Sequence, residues 1–466
     1  MRESRSLGRA LGLTLGSAAL WGIAHLWAGR TKTGLVLAGV YVGLLATAIA
    51  MITSFRSLAY SLLVRPGWLV GMVIGTLAVA VLWSGVIVSS YRSVRPSRLH
   101  GARRWWGIAL VSGLCALVAT PLMYASRLAY LSQDLVTSVF TADPLAFYNG
   151  RAGADPLTAK KRLNILLVGT DAAKNRPGAR TDSVTVASID TRTGKAVLFG
   201  LPRNLEHVPF PPGPARDAFP DGFTGDGAAS PGLLNEIYQW AEDNPYMAPD
   251  LPDGKRGITV LRSTVSGILG LPIDYYAMVD MKGFAQIIDA IGGVTVTVKE
   301  DIVYGTYRDG LVKAGTRKLS GAEALWFGRS RTDSDDYVRM SRQKCLLNAI
   351  AKQADPLTVL GGFDHITSAT KRYVSTDIPQ SLLPALLNLS EKVRLSHITS
   401  LQFVPPLINT VHPDWPFIRT RVEETLTNGK PPAIHNPTPS RHEASSQASP
   451  STSVANDAVS LDSACE

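Results

Sequence analysis

Four arginines, Arg329, Arg331, Arg339 and Arg342, fall close together in the chain, with Asp333, Asp335 and Asp336 among them and Gln343 beside the last. A guanidinium is the side chain for gripping phosphate, because its planar fork meets two oxygens at once and keeps its charge. Arg329 and Arg331 alternate by two, so on an extended entry they point to one side. Asp336, Arg339, Arg342 and Gln343 stand three and four apart, so on a helix they share a face. Several forks on one spot imply a ligand with more than one negative charge. A surface helix laced with Asp–Arg pairs gives the same spacing and little else.

A second cluster tips the balance toward phosphate. An apolar run ends in Gly169-Thr170-Asp171; Arg180-Thr181-Asp182 follows, then Pro202-Arg203. Asp171 and Asp182 sit at loop edges, where carboxylates hold Mg²⁺ (or Mn²⁺) beside a phosphate. No Cys or His grouping points to zinc. Cys115, Cys345 and Cys465 are far apart and match neither a metal nor a disulfide framework.

Stepping outward, 466 residues leave room for a membrane region plus one large domain. The net charge of +10 is concentrated in loops between apolar segments, which argues for anchoring at a lipid bilayer and against nucleic acid as a partner. Apolar runs lie at Leu11–Ala28, Gly34–Thr53, Trp68–Ser89 and Trp105–Ala125. The last three are long enough to cross a bilayer; the first either crosses or dips in, giving three or four helices in residues 1–130. Arg92, Arg95, Arg98, Arg103 and Arg104 precede the last run, so that loop reads as cytoplasmic and everything beyond Tyr130 as extracytoplasmic. The expected protein is multi-pass in the cell membrane.

Residues 131–160 read as a connector. Beyond them strands are expected at Leu163–Gly169, Ser183–Asp190, Lys195–Leu201, Tyr275–Asp280, Val294–Val298 and Ser400–Val404. Helices are expected at Leu233–Asp243, Ile258–Leu269, Gly283–Ile291, Ser320–Phe327, Asp335–Gln353 and Gln380–Leu389. Pro209–Pro231 reads as a surface loop. The fold class is α/β, a mixed central sheet with helices on both faces, over residues 161–427. Residues 428–466 are rich in Pro, Ser, Ala and Asn and read as a disordered tail.

The soluble part resembles the LytR-CpsA-Psr family of extracytoplasmic glycopolymer transferases. The resemblance covers about residues 160–405 and rests on Asn164–Asp171, Arg180–Ser183, Leu201-Pro202-Arg203, Ile273–Tyr276 with Val279-Asp280 and Gly283-Phe284, Ile288–Val294, and Asp336–Arg339 with Arg342-Gln343. Each piece is weak alone; their order and spacing are specific. It implies a polyprenyl-pyrophosphate-linked glycan as donor and a peptidoglycan sugar hydroxyl as acceptor. Arg180, Arg203, Arg329, Arg331, Arg339, Arg342 and Gln343 would hold the pyrophosphate, and Asp171 and Asp182 the metal ion. An apolar tunnel would take the lipid, with Leu261, Val265, Ile268, Phe284, Ile287 and Ile291 as candidate walls. Asp336 is the candidate proton acceptor, with Arg339 and Arg342 beside it as catalytic groups.

The sequence departs from the family pattern at Asn204, where Asp commonly follows Pro-Arg, and at Val338, where a small residue is usual. Several membrane segments replace the single anchor of many members. Two other readings use the same arginines: a non-catalytic lipid-phosphate binding protein, and a phosphatase of polyprenyl pyrophosphate. The glycan stays open, because teichoic acid, capsule and arabinogalactan share the pyrophosphate handle.

Overall fold

A computed structural model describes residues 7–53, 62, 64–95, 102–142, 157, 160–171, 179–227, 230–305, 308–332, 334–353, 373–428, 458–461 and 465. Asp333, Arg98, most of the expected connector and most of the expected tail lie outside the described residues. The chain divides into two compact units, one ending at Thr137 and one beginning at Ser138.

The first unit is helical: α1 (Leu7–Ala19), α2 (Ile23–Trp27), α3 (Thr31–Thr53), α4 (Pro66–Val94) and α5 (Ala102–Val139). Three stretches, Thr31–Met51, Pro66–Val94 and Arg104–Val139, are long and apolar enough to cross a membrane. The first apolar run is split between two short helices, α1 and α2. It breaks at Gly22, whose φ of 96° suits glycine, and a Cβ there would lie 2.2 Å from the Gly34 carbonyl oxygen. The last helix continues to Val139, so the expected connector begins inside it.

The second unit is built on a seven-stranded mixed sheet, ordered β11-β10-β3-β2-β1-β4-β9. The strands are β1 (Arg162–Asp171), β2 (Arg180–Asp190), β3 (Ala196–Leu201), β4 (Tyr275–Asp280), β9 (Val374–Thr376), β10 (Ile398–Gln402) and β11 (Val459–Ser460). Pairs β1–β4 and β3–β10 are parallel; the others are antiparallel. Successive side chains on a strand alternate between faces. Leu166, Val168, Val184, Val186, Phe199 and Tyr276 therefore share one face and are buried. They pack against α7 (Ile237–Asp243), α8 (Arg256–Leu269) and α13 (Trp415–Asn428). Helix α8 suits this role, since Leu261, Val265 and Ile268 repeat at helical spacing and are fully buried.

The opposite face carries Leu167, Gly169, Ser183, Thr185, Ala277 and Val279 and looks onto α9 (Met281–Ala290), α10 (Gly321–Arg329) and α11 (Asp336–Gln353). These helices form a second core with two small two-stranded sheets. The antiparallel pairs are β5 (Val294–Val298) with β8 (Gly315–Leu319), and β6 (Ile302–Tyr304) with β7 (Gly310–Val312). Helix α6 (Pro214–Ala218) lies in the segment expected as a loop, and α12 (Leu383–Leu395) follows β9.

Three expectations change. Pro209–Pro231 is no simple surface loop: Phe210 and Phe223 are buried, and with Phe219 they pack around Trp240 at centroid separations of 5.2–5.5 Å. The tail returns at its end, where β11 pairs with the edge of β10 and Leu461 is fully buried. Cys465 is disulfide-bonded to Cys345 on α11 across a sequence separation of 120 residues. The pairing is invisible in the sequence because neither spacing nor context links two cysteines so far apart.

Candidate functional site

Above the second face of the sheet lies a cleft of about 370 Å³. Leu167, Met281, Phe284, Ile287, Leu325, Leu346 and Leu347 supply its apolar lining. Asp171, Asp182, Arg203, Asp280, Arg329, Arg331, Arg339 and Gln343 also line it. Of the apolar candidates named from sequence, Phe284 and Ile287 reach the cleft. Leu261, Val265 and Ile268 do not; they lie in the core on the other face. Ile291 packs on the second core.

Backbone geometry aims the acids. Strands β1 and β2 pair in register until Gly169↔Ser183, then resume at Thr170↔Thr181. Asp182 is the extra residue of this bulge, and a bulge re-aims side chains at a functional edge. Thr181 then turns into the protein, fully buried, while Asp182 and Ser183 both line the cleft. Asp171 ends β1 opposite Arg180.

Asp336 is the hub of the arginines. One oxygen lies 3.2 Å from the Arg203 Nε and the other accepts from the Arg339 Nη2 at 2.9 Å. The Arg331 Nη1 stands 4.0 Å away. Arg203 also donates to the Asp182 carboxylate at 2.7 Å, and Arg339 Nη1 to the Asp182 carbonyl at 2.9 Å. Burial works against the charge of Arg203, but Asp182 and Asp336 outweigh it and hold its pKa above the ordinary arginine value. Arg339 is only 4% exposed, a position a guanidinium occupies only when its donors are satisfied. Burial raises the Asp280 carboxyl above the usual aspartate range, against hydrogen bonds from the Gly283 and Lys282 amides.

The remaining residues divide. Arg329 is the last residue of α10 rather than part of an extended entry, and its Nη2 lies 3.8 Å from Asp171. The capping box of Ser320 and Glu323 starts that helix, and the sequence continues it through the position expected to be extended. Gln343 donates to the Gly328 carbonyl at 3.1 Å, tying α11 to α10. Arg342 does not line the cleft. It donates to the Ser330 carbonyl at 2.8 Å and to Ser334 Oγ at 2.6 Å, bracing the turn between the two helices. Arg180 stands apart at the start of β2, 3.9 Å from Glu236. Sequence reasoning passed over Trp326, whose ring lies under Arg329, because an aromatic on a helix reads as core.

Two carboxylates at the polar end of a cleft suit a hard divalent cation that completes its shell with phosphate oxygens and water. Among the described residues no group of three or more His, Cys, Asp or Glu is placed to cage a metal without a ligand's help. Asp171 and Asp182 both line the cleft, and the Asp182 carboxylate already accepts from Arg203.

Several known proteins are similar to this chain in sequence. Biofilm regulatory protein A of Streptococcus mutans is 25% identical over 260 residues, covering 53% of this chain and 58% of that protein. The polyisoprenyl-teichoic acid–peptidoglycan teichoic acid transferase TagU of Bacillus anthracis is 26% identical over 228 residues, covering 48% of this chain and 64% of that one. The matches thus span about three fifths of each relative's length. Among solved structures, TagV of B. subtilis superposes with a TM-score of 0.40 at 25% identity, over 58% of this chain and 97% of that one. Protein gbs0355 of Streptococcus agalactiae does so with a TM-score of 0.40 at 24% identity, over 54% and 80%. The family profile LytR_cpsA_psr matches residues 139–411, more than half of the chain, and the protein belongs to that family.

Proposed function

We propose that the protein transfers a phosphoglycan from a polyprenyl-pyrophosphate carrier to a sugar hydroxyl of peptidoglycan. The observation that carries this reading is the joining of an arginine cluster, Arg203, Arg329, Arg331 and Arg339, to an apolar cleft walled by Phe284, Ile287 and Leu346. An amphiphile with a multiply charged head fits both halves. The family, and a relative whose name is that of a teichoic acid transferase, support the choice of chemistry.

In this reading the hydroxyl oxygen attacks the phosphorus bearing the glycan. The bond from that phosphorus to the bridging oxygen breaks, and polyprenyl phosphate leaves. Charge spreads over the phosphoryl oxygens, so catalysis is mostly positioning and preset positive charge. The arginines have that role and no covalent nucleophile is needed. Before substrate arrives Arg203 is paired with Asp182 and Asp336, and Arg339 with Asp336. The phosphates compete for the same forks, which frees an oxygen of Asp336 to take the hydroxyl proton. Mg²⁺ held by Asp171 and Asp182 would further neutralise the diphosphate.

The helices long and apolar enough to cross a bilayer support a membrane-anchored protein. The disulfide supports an extracytoplasmic domain, since such bonds persist in oxidising compartments. The test uses the full chain in lipid nanodiscs with polyprenyl-pyrophosphate-linked glycan and peptidoglycan oligomers. Acceptor-dependent transfer with release of polyprenyl phosphate is expected, lost on chelation and restored by Mg²⁺. Release of inorganic phosphate without acceptor means a phosphatase. Binding with no turnover means a carrier.

A further inference from the structure

Arg203 and Arg339 are set in place by carboxylates, and each spends N–H donors on that placement. Arg329 is held differently. Its guanidinium carbon lies over the Trp326 ring, 4.9 Å from the centroid. The Tyr304 ring stacks on Trp326 at a centroid separation of 4.9 Å and an interplanar angle of 14°. Its carboxylate partner among the described residues, Asp171, has its oxygen 3.8 Å away, beyond hydrogen-bond reach. Stacking on an aromatic face restrains a guanidinium through its π surface and leaves the N–H donors at its edge unspent.

The stack is built from separate elements. Trp326 and Arg329 stand three apart on α10, so one lies over the other on the helix surface. Tyr304 ends β6, and Gly310 on β7 faces it in register. A Cβ at Gly310 would fall 2.1 Å from the Tyr304 ring, so only glycine leaves room for the ring as it stands. Ser330 Oγ donates to the Val303 carbonyl at 3.0 Å, fixing the end of α10 to the strand that carries Tyr304.

We propose that Trp326, backed by Tyr304, is a positioning residue that presents Arg329 to the donor's phosphate with its donor edge uncommitted. Arg329 is then the fork that engages the diphosphate without first giving up a hydrogen bond, and Arg203 and Arg339 follow as they exchange Asp336 for phosphate. The inference rests on the cleft binding a lipid pyrophosphate.

The test measures binding of undecaprenyl pyrophosphate, and of undecaprenol as the uncharged control, to the full chain in nanodiscs. Trp326→Ala is expected to weaken pyrophosphate binding about three- to tenfold, the range of one cation–π contact. Undecaprenol binding is unchanged by it. Trp326→Phe retains a ring face and recovers most of the affinity. In an Arg329→Ala background, Trp326→Ala has no further effect, because it acts only through that guanidinium. An equal loss in both backgrounds, or an equal loss for undecaprenol, overturns the proposal and makes Trp326 a mere wall. If Arg329→Ala itself leaves pyrophosphate binding untouched while the chain still prefers pyrophosphate to the alcohol, this proposal fails and the functional reading stands. If the wild type shows no such preference, both fall.

Discussion

One carboxylate, Asp336, pairs with three guanidiniums, and those pairings are what a bound diphosphate must disturb. Removing one member of a partly buried charge cluster leaves its partners repelling one another. Asp336→Asn is therefore expected to lower folding stability by about 2 kcal/mol, and a pyrophosphate ligand to restore more stability to the variant than to the wild type. Thermal melts with and without ligand check this; an unchanged midpoint and an equal ligand shift contradict it. At this scale the sequence told a good deal. Arg203, Arg329, Arg331 and Arg339 all line the cleft, although Arg329 comes from a helix end and not from the extended segment that its alternation with Arg331 suggested. Arg342 shares their helix-face spacing yet braces a turn, because spacing places a side chain on a face without saying what the flanking loop offers it. Trp326 carried no signal, since its partners Tyr304 and Arg329 come together only through the fold.

Among the elements, alternation exposed the central strands: β4 and β5 fall where the apolar pattern put them, and β1 to β3 begin within a few residues of it. What the pattern could not assign was pairing. Strand β5 lies outside the main sheet and pairs with β8, and the strands β6 to β9 are too short, or β8 too exposed, to show alternation. The bulge at Asp182 was equally hidden, because a register slip depends on both partners. Helix α11, which carries Arg339, is joined by the Cys345–Cys465 bond to the segment that covers the edge of β10. A cross-link over so long a loop stabilises chiefly by restricting the unfolded chain. Cys345→Ser and Cys465→Ser are each expected to cost about 2–4 kcal/mol. Denaturant unfolding should show the wild type under reductant behaving like either variant; insensitivity to reductant in the wild type contradicts the cross-link.

For the whole molecule, a unit with three helices, among the described residues, long and apolar enough to cross a bilayer precedes an α/β unit of the LytR_cpsA_psr family. The division into a membrane region and a soluble domain was plain from composition, because long apolar runs and mixed α/β patterning do not overlap. The end of the chain was not, since its low-complexity sequence conceals a strand and a cysteine that need the rest of the domain to bind to. The central claim is that the arginine cluster and the apolar cleft act together on one lipid-linked diphosphate. The most direct measurement compares the affinity of the full chain in nanodiscs for undecaprenyl pyrophosphate with that for undecaprenol, in wild type and in the Arg203→Ala/Arg339→Ala double variant. The wild type should prefer the pyrophosphate by at least about a hundredfold, roughly the worth of two charge-assisted contacts, and the double variant should lose most of that preference while still binding the lipid. Equal affinity for the two lipids in the wild type, or a preference that survives loss of both arginines, would contradict it.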